Sequence, residues 1–383
     1  MNQITRGLLD KGIRVKVMAL NPPGNAAAAA EVTDSYLQET GLEVFPIDTR
    51  VKAGPAIRNL FTRESYNISR FHCPKMSKRL EQLLHEEEFD IIQLEGLFLT
   101  PYLPVIRQHT RAPVIFRSHN IEHFIWERMA RTTTNPLKKG YLRLLASRLK
   151  TYEMRTVHQV DGLVAISTAD MHFFKQHGFA RPGVTIPVGA DNPLAVIAEP
   201  EAEKYSVFHL GSMDWRPNQE GLRWFMEAVW PRVARMDQRL RFYLAGKNIP
   251  ASFYEYAGDQ VVVAGQVPDA SRFIRSKELM VVPLHSGGGM RVKIIEGMAL
   301  GKAIVSTGIG AEGIHCTHKE NILLADTASE MAEAILHCFA NREFMEMLGR
   351  NAREFVMKHH AMKPLIDELI AFYKTFLPDK DYN

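Results

Sequence analysis

Short apolar runs rich in β-branched residues alternate with segments of helical spacing along nearly all of the 383 residues, and the series is run through twice. The first set is "IRVKVMAL" (13–20), "LEVFPI" (42–47), "DIIQLEG" (90–96), "APVIFRS" (112–118), "GLVAIS" (162–167) and "VTIPVG" (184–189). The second is "SVFHLGS" (206–212), "LRFYLAG" (240–246), "VVVAGQV" (261–267), "LMVVPL" (279–284), "KAIVST" (302–307) and "NILLAD" (321–326). Runs of this length, set between helices, are the mark of a doubly wound parallel sheet covered on both faces. The weakly periodic stretch 192–205 separates the two sets. The reading is therefore α/β, with two tandem Rossmann-like domains: 1–191, a linker over 192–205, and 206–356, closed by a C-terminal helix within 357–383 that packs back on the first domain. Helices are expected over 217–236, 290–300, 327–340, 343–356 and about 361–376. No sequence repeat links the halves.

The chain opens in a helical pattern, "NQITRGLLDKG", without the strand and glycine turn that usually feed the first helix of such a domain. The first domain is expected to lack one strand and, with it, part of its cleft. No apolar run reaches the roughly 18 residues of a membrane span, and no signal-peptide core is present, so a cytoplasmic protein is expected. Cys73, Cys316 and Cys338 show neither a disulfide nor a zinc-binding spacing. The net charge is +4, but Arg107, Arg111, Arg117, Arg128, Arg131, Lys138, Lys139, Arg143, Arg148, Lys150 and Arg155 face only three acids in the same stretch. Such a run can attract an anionic bilayer surface.

Strand "LMVVPL" leads through "HSGGG" into a helix with Met290, Ile294, Ile295 and Met298 at helical spacing. Gly287, Gly288 and Gly289 bare the backbone before a helix N-terminus, where an anion such as a diphosphate is favoured. Arg291 and Lys293 sit in the first turn, where cations oppose the helix dipole unless an anion is bound. Glu296, one turn on, can accept hydrogen bonds from the vicinal hydroxyls of a ribose. Phosphate and diol together indicate a nucleotide.

"GGGMRVKIIEGMALGKAIVSTGIGAEGI" resembles the donor-binding segment of the retaining glycosyltransferases of family 4, the group 1 transferases of GT-B fold with a deep interdomain cleft. "FHLGSMDWRPNQEGLRWF" (208–225), "AGQVPD" (264–269) and "VAIS…IPVGAD" (164–191) extend the likeness over most of the chain. By resemblance, Glu296 is the second acid of the Glu-x7-Glu motif and holds the ribose. Gly211, Ser212 and Met290 belong with the donor site. The first acid of the motif falls on Gly288, and the family's Arg and Lys after the first donor strand fall near Ser212 and Pro217 or Asn218. Arg216, Arg291 or Lys293 can replace that clamp. In the first domain His119 of "RSHNIEH" (117–123) is assigned to the histidine beside the reacting sugar, with Glu95 and Asn120 as acceptor candidates.

The implied reaction is transfer of a sugar from a nucleotide donor to a sugar or lipid-linked acceptor hydroxyl, in surface polysaccharide or glycolipid assembly. Arg291 and Lys293 stabilise the leaving diphosphate, and neither a metal nor another cofactor is expected. Nucleic acid is not an expected partner. Alternatives are an inactive nucleotide-sugar binder, a sugar-nucleotide 2-epimerase, and a zinc peptidase through "HNIEH", with His119 and His123 as ligands and Glu122 as base. "GIGAEG" (308–313) fits a dinucleotide fingerprint but lacks the following helix pattern. "DKD" (379–381) imitates a metal-binding motif in a polar tail.

Overall fold

The computed structural model describes residues 2–22, 34–50, 54, 59, 65–190 and 202–377. The DKD tail and residues 192–201 of the expected linker lie outside them. The chain divides into two compact units: Met1–Pro187 with Met362–Asn383, and Val188–Ala361.

The first unit runs α1 (Asn2–Asp10), β1 (Met18–Asn21), α2 (Asp34–Thr40), β2 (Glu43–Pro46), α3 (Tyr66–Ser69), α4 (Pro74–Glu86) and β3 (Ile92–Glu95). A 3-10 segment then leads into α5 (Leu103–His109), followed by β4 (Val114–Ser118), α6 (Glu122–Thr132), α7 (Pro136–Val157), β5 (Gly162–Ala165), α8 (Thr168–Gln176) and β6 (Gly183–Thr185). All pairings are parallel, in two pieces: β1 with β2, and β3-β4-β5-β6 in that order. Among the described residues β1 pairs only with β2, and β3 only with β4. An apolar cavity of about 140 Å³ is lined from both pieces, by Lys16 and Met18 on one side and Ile92 and Leu94 on the other. Of the expected strand 13–20, only the end is strand.

β4 shows why such runs carry apolar residues at successive positions. Val114 and Phe116 enter the core built with α4, α5 and α7, whereas Ile115 points to the opposite face. There it meets Ile4 and Leu8 of α1 and, from the last helix of the chain, Leu365, Ile366 and Leu369. The alternation of strand side chains thus feeds two helical layers.

The second unit contains β7 (Ser206–Leu210), α9 (Arg216–Trp224), α10 (Trp230–Met236), β8 (Arg241–Ala245), β9 (Val261–Gly265), α11 (Ala270–Arg275), β10 (Leu279–Val282) and α12 (Val292–Ala299). It ends with β11 (Ala303–Ser306), β12 (Leu323–Leu324), α13 (Ala328–Ala340) and α14 (Arg342–His359), after which α15 (Met362–Lys374) returns to the first unit. The expected single helix 217–236 is instead two, joined by a π-helical segment, Phe225–Val229. Pro231 has no N–H to donate into the preceding turn, and a widened turn accommodates it.

The parallel strand order is β12-β11-β10-β7-β8-β9. The chain therefore leaves β7 in one direction and returns at β10 to proceed in the other. That reversal lies between β7 and β10, whose carboxyl ends both open there, and such a switch point is where doubly wound sheets bind ligands. α9 passes very close to it: a Cβ on Gly221 would lie 2.1 Å from the carbonyl oxygen of Pro283. Because that neighbour is backbone, Gly221→Ala is expected to destabilise the second unit by about 1 to 3 kcal/mol. Chemical denaturation followed by tryptophan fluorescence, with Trp215, Trp224 and Trp230 as reporters in this unit, checks this.

Candidate functional site

At the switch point, the turn after β10 is shaped by its glycines and by one arginine. Gly287 and Gly289 have φ of 104° and 76°, in the left-handed region that side chains disfavour. A Cβ on Gly287 would also strike the Trp215 ring at 2.6 Å. Arg291 is buried and bends back, donating to the carbonyl oxygens of Gly288 and Gly289, with its guanidinium carbon 5.0 Å from the Trp215 ring centroid. It occupies the N-cap position of α12, which starts at Val292. In place of a cation in the first turn aimed outward, Arg291 is a brace that holds the glycine turn.

Lys293 takes the position at the end of β7. Its Nζ donates to Asn218 Oδ1 at 2.9 Å and to His209 Nε2 at 3.1 Å. It lies so close under Gly211 that a Cβ there would be 2.4 Å from it. The partners are themselves fixed: Asn218 Nδ2 donates to the Ser212 carbonyl at 2.7 Å, and His209 Nδ1 lies 2.8 Å from the Val281 carbonyl. Burial, then repulsion from Arg291, lowers the Lys293 pKa to about 7 against the pull of Glu296. Burial and the Lys293 charge hold His209 well below its ordinary range, so its imidazole is neutral.

The side chain of Glu296 makes no hydrogen bond or ion pair with any described residue. Its carboxylate opens to solvent on one side. Packed protein on the other raises its pKa, which the Lys293 charge opposes. Arg216 is engaged elsewhere, with Nε 2.6 Å from Glu220, whose other oxygen accepts from Ser286 at 3.0 Å. Ser212 donates to Asp214 at 3.2 Å, and Met290 is half-buried beside Gly313.

In the first unit, adjacent strand ends bring Glu95 and His119 together: His119 Nε2 lies 2.7 Å from Glu95 Oε2, with Arg117 Nη1 at 3.3 Å from the same oxygen. Burial pushes the Glu95 carboxyl up, but the His119 hydrogen bond and the Arg117 charge outweigh it and bring the pKa down to about 2. Asn120 is turned to Glu122, at 3.3 Å. The fully buried Glu153 of α7 accepts from the backbone N–H of Glu122 at 2.9 Å and of His123 at 3.3 Å, and pairs with His123 Nδ1 at 2.6 Å. A carboxylate there caps α6 and fixes the turn that carries His119. Burial and the Glu153 charge raise Glu122 to about 7.

These positions bear on two weaker motif matches, neither of which forms its site, and on the expected basic face. His119 precedes α6 and bonds Glu95, whereas His123 is sealed against Glu153, so the two histidines do not converge as a zinc peptidase needs. "GIGAEG" forms turns with no helix after it, so the dinucleotide fingerprint is absent. The basic run does not form one face, because Arg107 pairs with Asp161, Arg117 is buried on Glu95, and Arg148 donates to the Asn59 carbonyl. Arg131, Lys138, Arg143, Lys150 and Arg155 remain exposed.

Comparison with known proteins identifies the family and the fold. The model of Glycosyltransferase Family 4 matches residues 1–192, and that of Glycosyl transferases group 1 matches residues 204–341. The chain belongs to the family 4, group 1 glycosyltransferases. An uncharacterised 44.6 kDa protein of the cps region of Klebsiella pneumoniae is 22% identical over 173 residues, 43% of this chain and 45% of that protein. An uncharacterised glycosyltransferase of Methanocaldococcus jannaschii is 34% identical over 92 residues, 24% and 26% of the two chains. The matches thus span less than half the length of these relatives. Among solved structures, sucrose-phosphate synthase of Thermosynechococcus elongatus superposes with a TM-score of 0.69 at 16% identity, covering 97% of this chain and 91% of that one. Anabaena HepE, solved with UDP and glucose, gives 0.63 at 14%, covering 94% and 100%. These likenesses show the GT-B-type fold.

Within this glycosyltransferase family, the usual Arg and Lys would fall near Ser212 and Pro217 or Asn218. Lys293, arriving from α12, places its Nζ against Asn218 and under Gly211, in that same neighbourhood. Of the three cations open as replacements, Arg216 is exposed and Arg291 braces the turn. His209 and Asn218, which hold Lys293, were not singled out as site residues from sequence; the available signal was a histidine inside the apolar strand "SVFHL". A half-buried lysine whose folded pKa is below its unfolded value makes the unfolded state the stronger proton binder between pH 7 and 10. Stability therefore rises with pH through that window. Relative to Lys293→Met, the unfolding free energy of the wild type is expected to climb by up to about 1 kcal/mol per pH unit from 7 to 10, measured by urea denaturation.

Proposed function

We propose that the chain is a retaining glycosyltransferase that transfers a sugar from a nucleoside diphosphate to an acceptor hydroxyl, with the second unit holding the donor and the first the acceptor. One observation carries this: a lysine held by neutral partners under bare glycines at the β7/β10 switch point, with the acid of the family motif, Glu296, one turn along the same helix. In the reaction the bond from the anomeric carbon to the diphosphate oxygen breaks, a bond to the acceptor oxygen forms, and the acceptor proton leaves with the diphosphate. Lys293 and the amides of the turn braced by Arg291 stabilise the departing charge, which is where preorganised donors act most strongly. This cationic grip makes a metal unnecessary in this reading. Glu296 receives the ribose hydroxyls. His119, oriented by Glu95, hydrogen-bonds the sugar undergoing transfer. HepE, solved with UDP and glucose, supports a nucleotide-sugar donor.

A panel of UDP-, GDP-, ADP- and dTDP-sugars, screened by thermal shift, is expected to contain at least one that stabilises the wild type. Glu296→Ala should reduce its affinity about tenfold or more. Equal stabilisation of both proteins would remove Glu296 from the donor site. Transfer or donor hydrolysis by the wild type separates the enzyme from an inactive binder.

The acceptor reading is a lipid-linked or polysaccharide hydroxyl, reached at an anionic membrane surface. No described helix is long and apolar enough to cross a membrane. At the start of α7, capped by Asn135, Leu137 is 85% exposed, and the same helix exposes Lys138 and Arg143. An exposed apolar side chain on a helix that also exposes cations suits an anionic bilayer interface. The combined substitution Leu137→Asp, Lys138→Glu and Arg143→Glu should weaken sedimentation with phosphatidylglycerol vesicles at least tenfold and leave the nucleotide-induced thermal shift unchanged.

A further inference from the structure

The hydrogen bonds around Lys293 have a consequence beyond contact with the donor. An ammonium has three N–H donors. His209 Nε2 and Asn218 Oδ1 take two of them, at 3.1 and 2.9 Å. No described residue takes the third, and Gly211 has no Cβ to crowd Nζ. Both acceptors are locked in role. The Asn218 amide nitrogen is spent on the Ser212 carbonyl, and the Val281 carbonyl takes the Nδ1 proton of His209, so the lone pair on Nε2 faces Lys293.

Neither acceptor carries negative charge. Among the described residues no carboxylate lies within ion-pair distance of Nζ. The ionisable groups around it are His209 from β7, Arg291 from the glycine turn and Glu296 from its own helix. Arg291 repels the ammonium, and Glu296, one turn along, attracts it.

We propose that His209 and Asn218 are positioning residues that keep Lys293 ready to accept a proton, so that binding of a nucleotide sugar is accompanied by uptake of one proton from solvent onto Nζ. The diphosphate is the counter-ion that the ligand-free site lacks. The chemistry balances simply: the amine nitrogen gains a proton from water or buffer, and no bond within the donor changes. Burial and the Arg291 charge, which lower the free-state pKa to about 7, agree with this. An arriving anion favours the charged form and moves the value upward. Below pH 7 the lysine is already charged and binding takes up nothing. Above it each binding event takes up a proton, and affinity falls about tenfold per pH unit until the bound-state pKa is reached. A nucleotide sugar, unlike a free nucleoside diphosphate, has no phosphate group that titrates in this range, so the lysine dominates the proton count.

The inference rests on the donor-site reading above, and its test separates the two. Isothermal titration of the wild type is run with the nucleotide sugar from the panel that gives the largest thermal shift. Buffers of differing ionisation enthalpy at pH 6 and pH 8.5 yield the number of protons exchanged. About one proton taken up at pH 8.5 and near none at pH 6 is expected. In Asn218→Asp, a carboxylate beside Nζ holds the lysine charged before binding, so uptake should disappear and affinity become flat from pH 7 to 8.5. Lys293→Met should bind weakly with no pH slope. A merely structural role for Asn218 would lower affinity without changing the proton count. Binding with no uptake at either pH overturns the inference and leaves the donor site standing, as does uptake that persists in Asn218→Asp. Failure of every nucleotide sugar to bind overturns both.

Discussion

Parallel strand pairing is the constraint on which this molecule depends. Parallel neighbours cannot be joined by a tight turn, so every connection crosses a face of the sheet and every strand delivers its following turn to the same edge. In the second unit the chain reverses its direction of travel between β7 and β10. Two turns consequently part at the same place, and the space between them is free of crossing chain. The glycines after β10, Gly211 after β7, Lys293, Asn218 and His209 meet there because of strand order. No local preference of those residues brings them together.

That meeting is energetically uneven. A half-buried ammonium without a counter-ion loses hydration that two neutral hydrogen bonds only partly replace. The surrounding structure offsets this: Arg291 fastens the glycine turn through two carbonyls and the Trp215 face, Gly221 lets α9 come close, and the strand core behind is fully buried. The first unit uses opposite charge logic. Glu95 is over-supplied with partners and stays ionised, which fixes His119, and Glu153 holds the α6 terminus from below. One site is left short of negative charge and the other is neutralised internally, a contrast that supports the proposed anion-binding and hydroxyl-binding roles.

Much of this was legible in the sequence, for identifiable reasons. Each of the twelve runs read as strand overlaps a strand; strands buried on both faces, such as β5 and β10, are apolar at every position, and that signal is local. The glycine turn was visible because left-handed φ at Gly287 and Gly289 excludes most other residues. The π segment before Pro231, the bending back of Arg291 and the scattering of the basic run were not visible. The last two are settled by what a side chain meets after folding: carbonyls at Gly288 and Gly289 for Arg291, an acid at Asp161 for Arg107.

The sequence by itself determined the class of fold, the two-part order of the chain, the family, and where backbone had to be bare, since all of these are written in residue type and short-range spacing. Tertiary structure alone decided which cation stands at the end of β7. Lys293 lies 75 residues from Asn218 and 84 from His209 along the chain. Their contact exists only once the sheet has placed β10 beside β7, and no spacing within the sequence encodes which of several nearby positive charges will point inward and which will close on the loop itself.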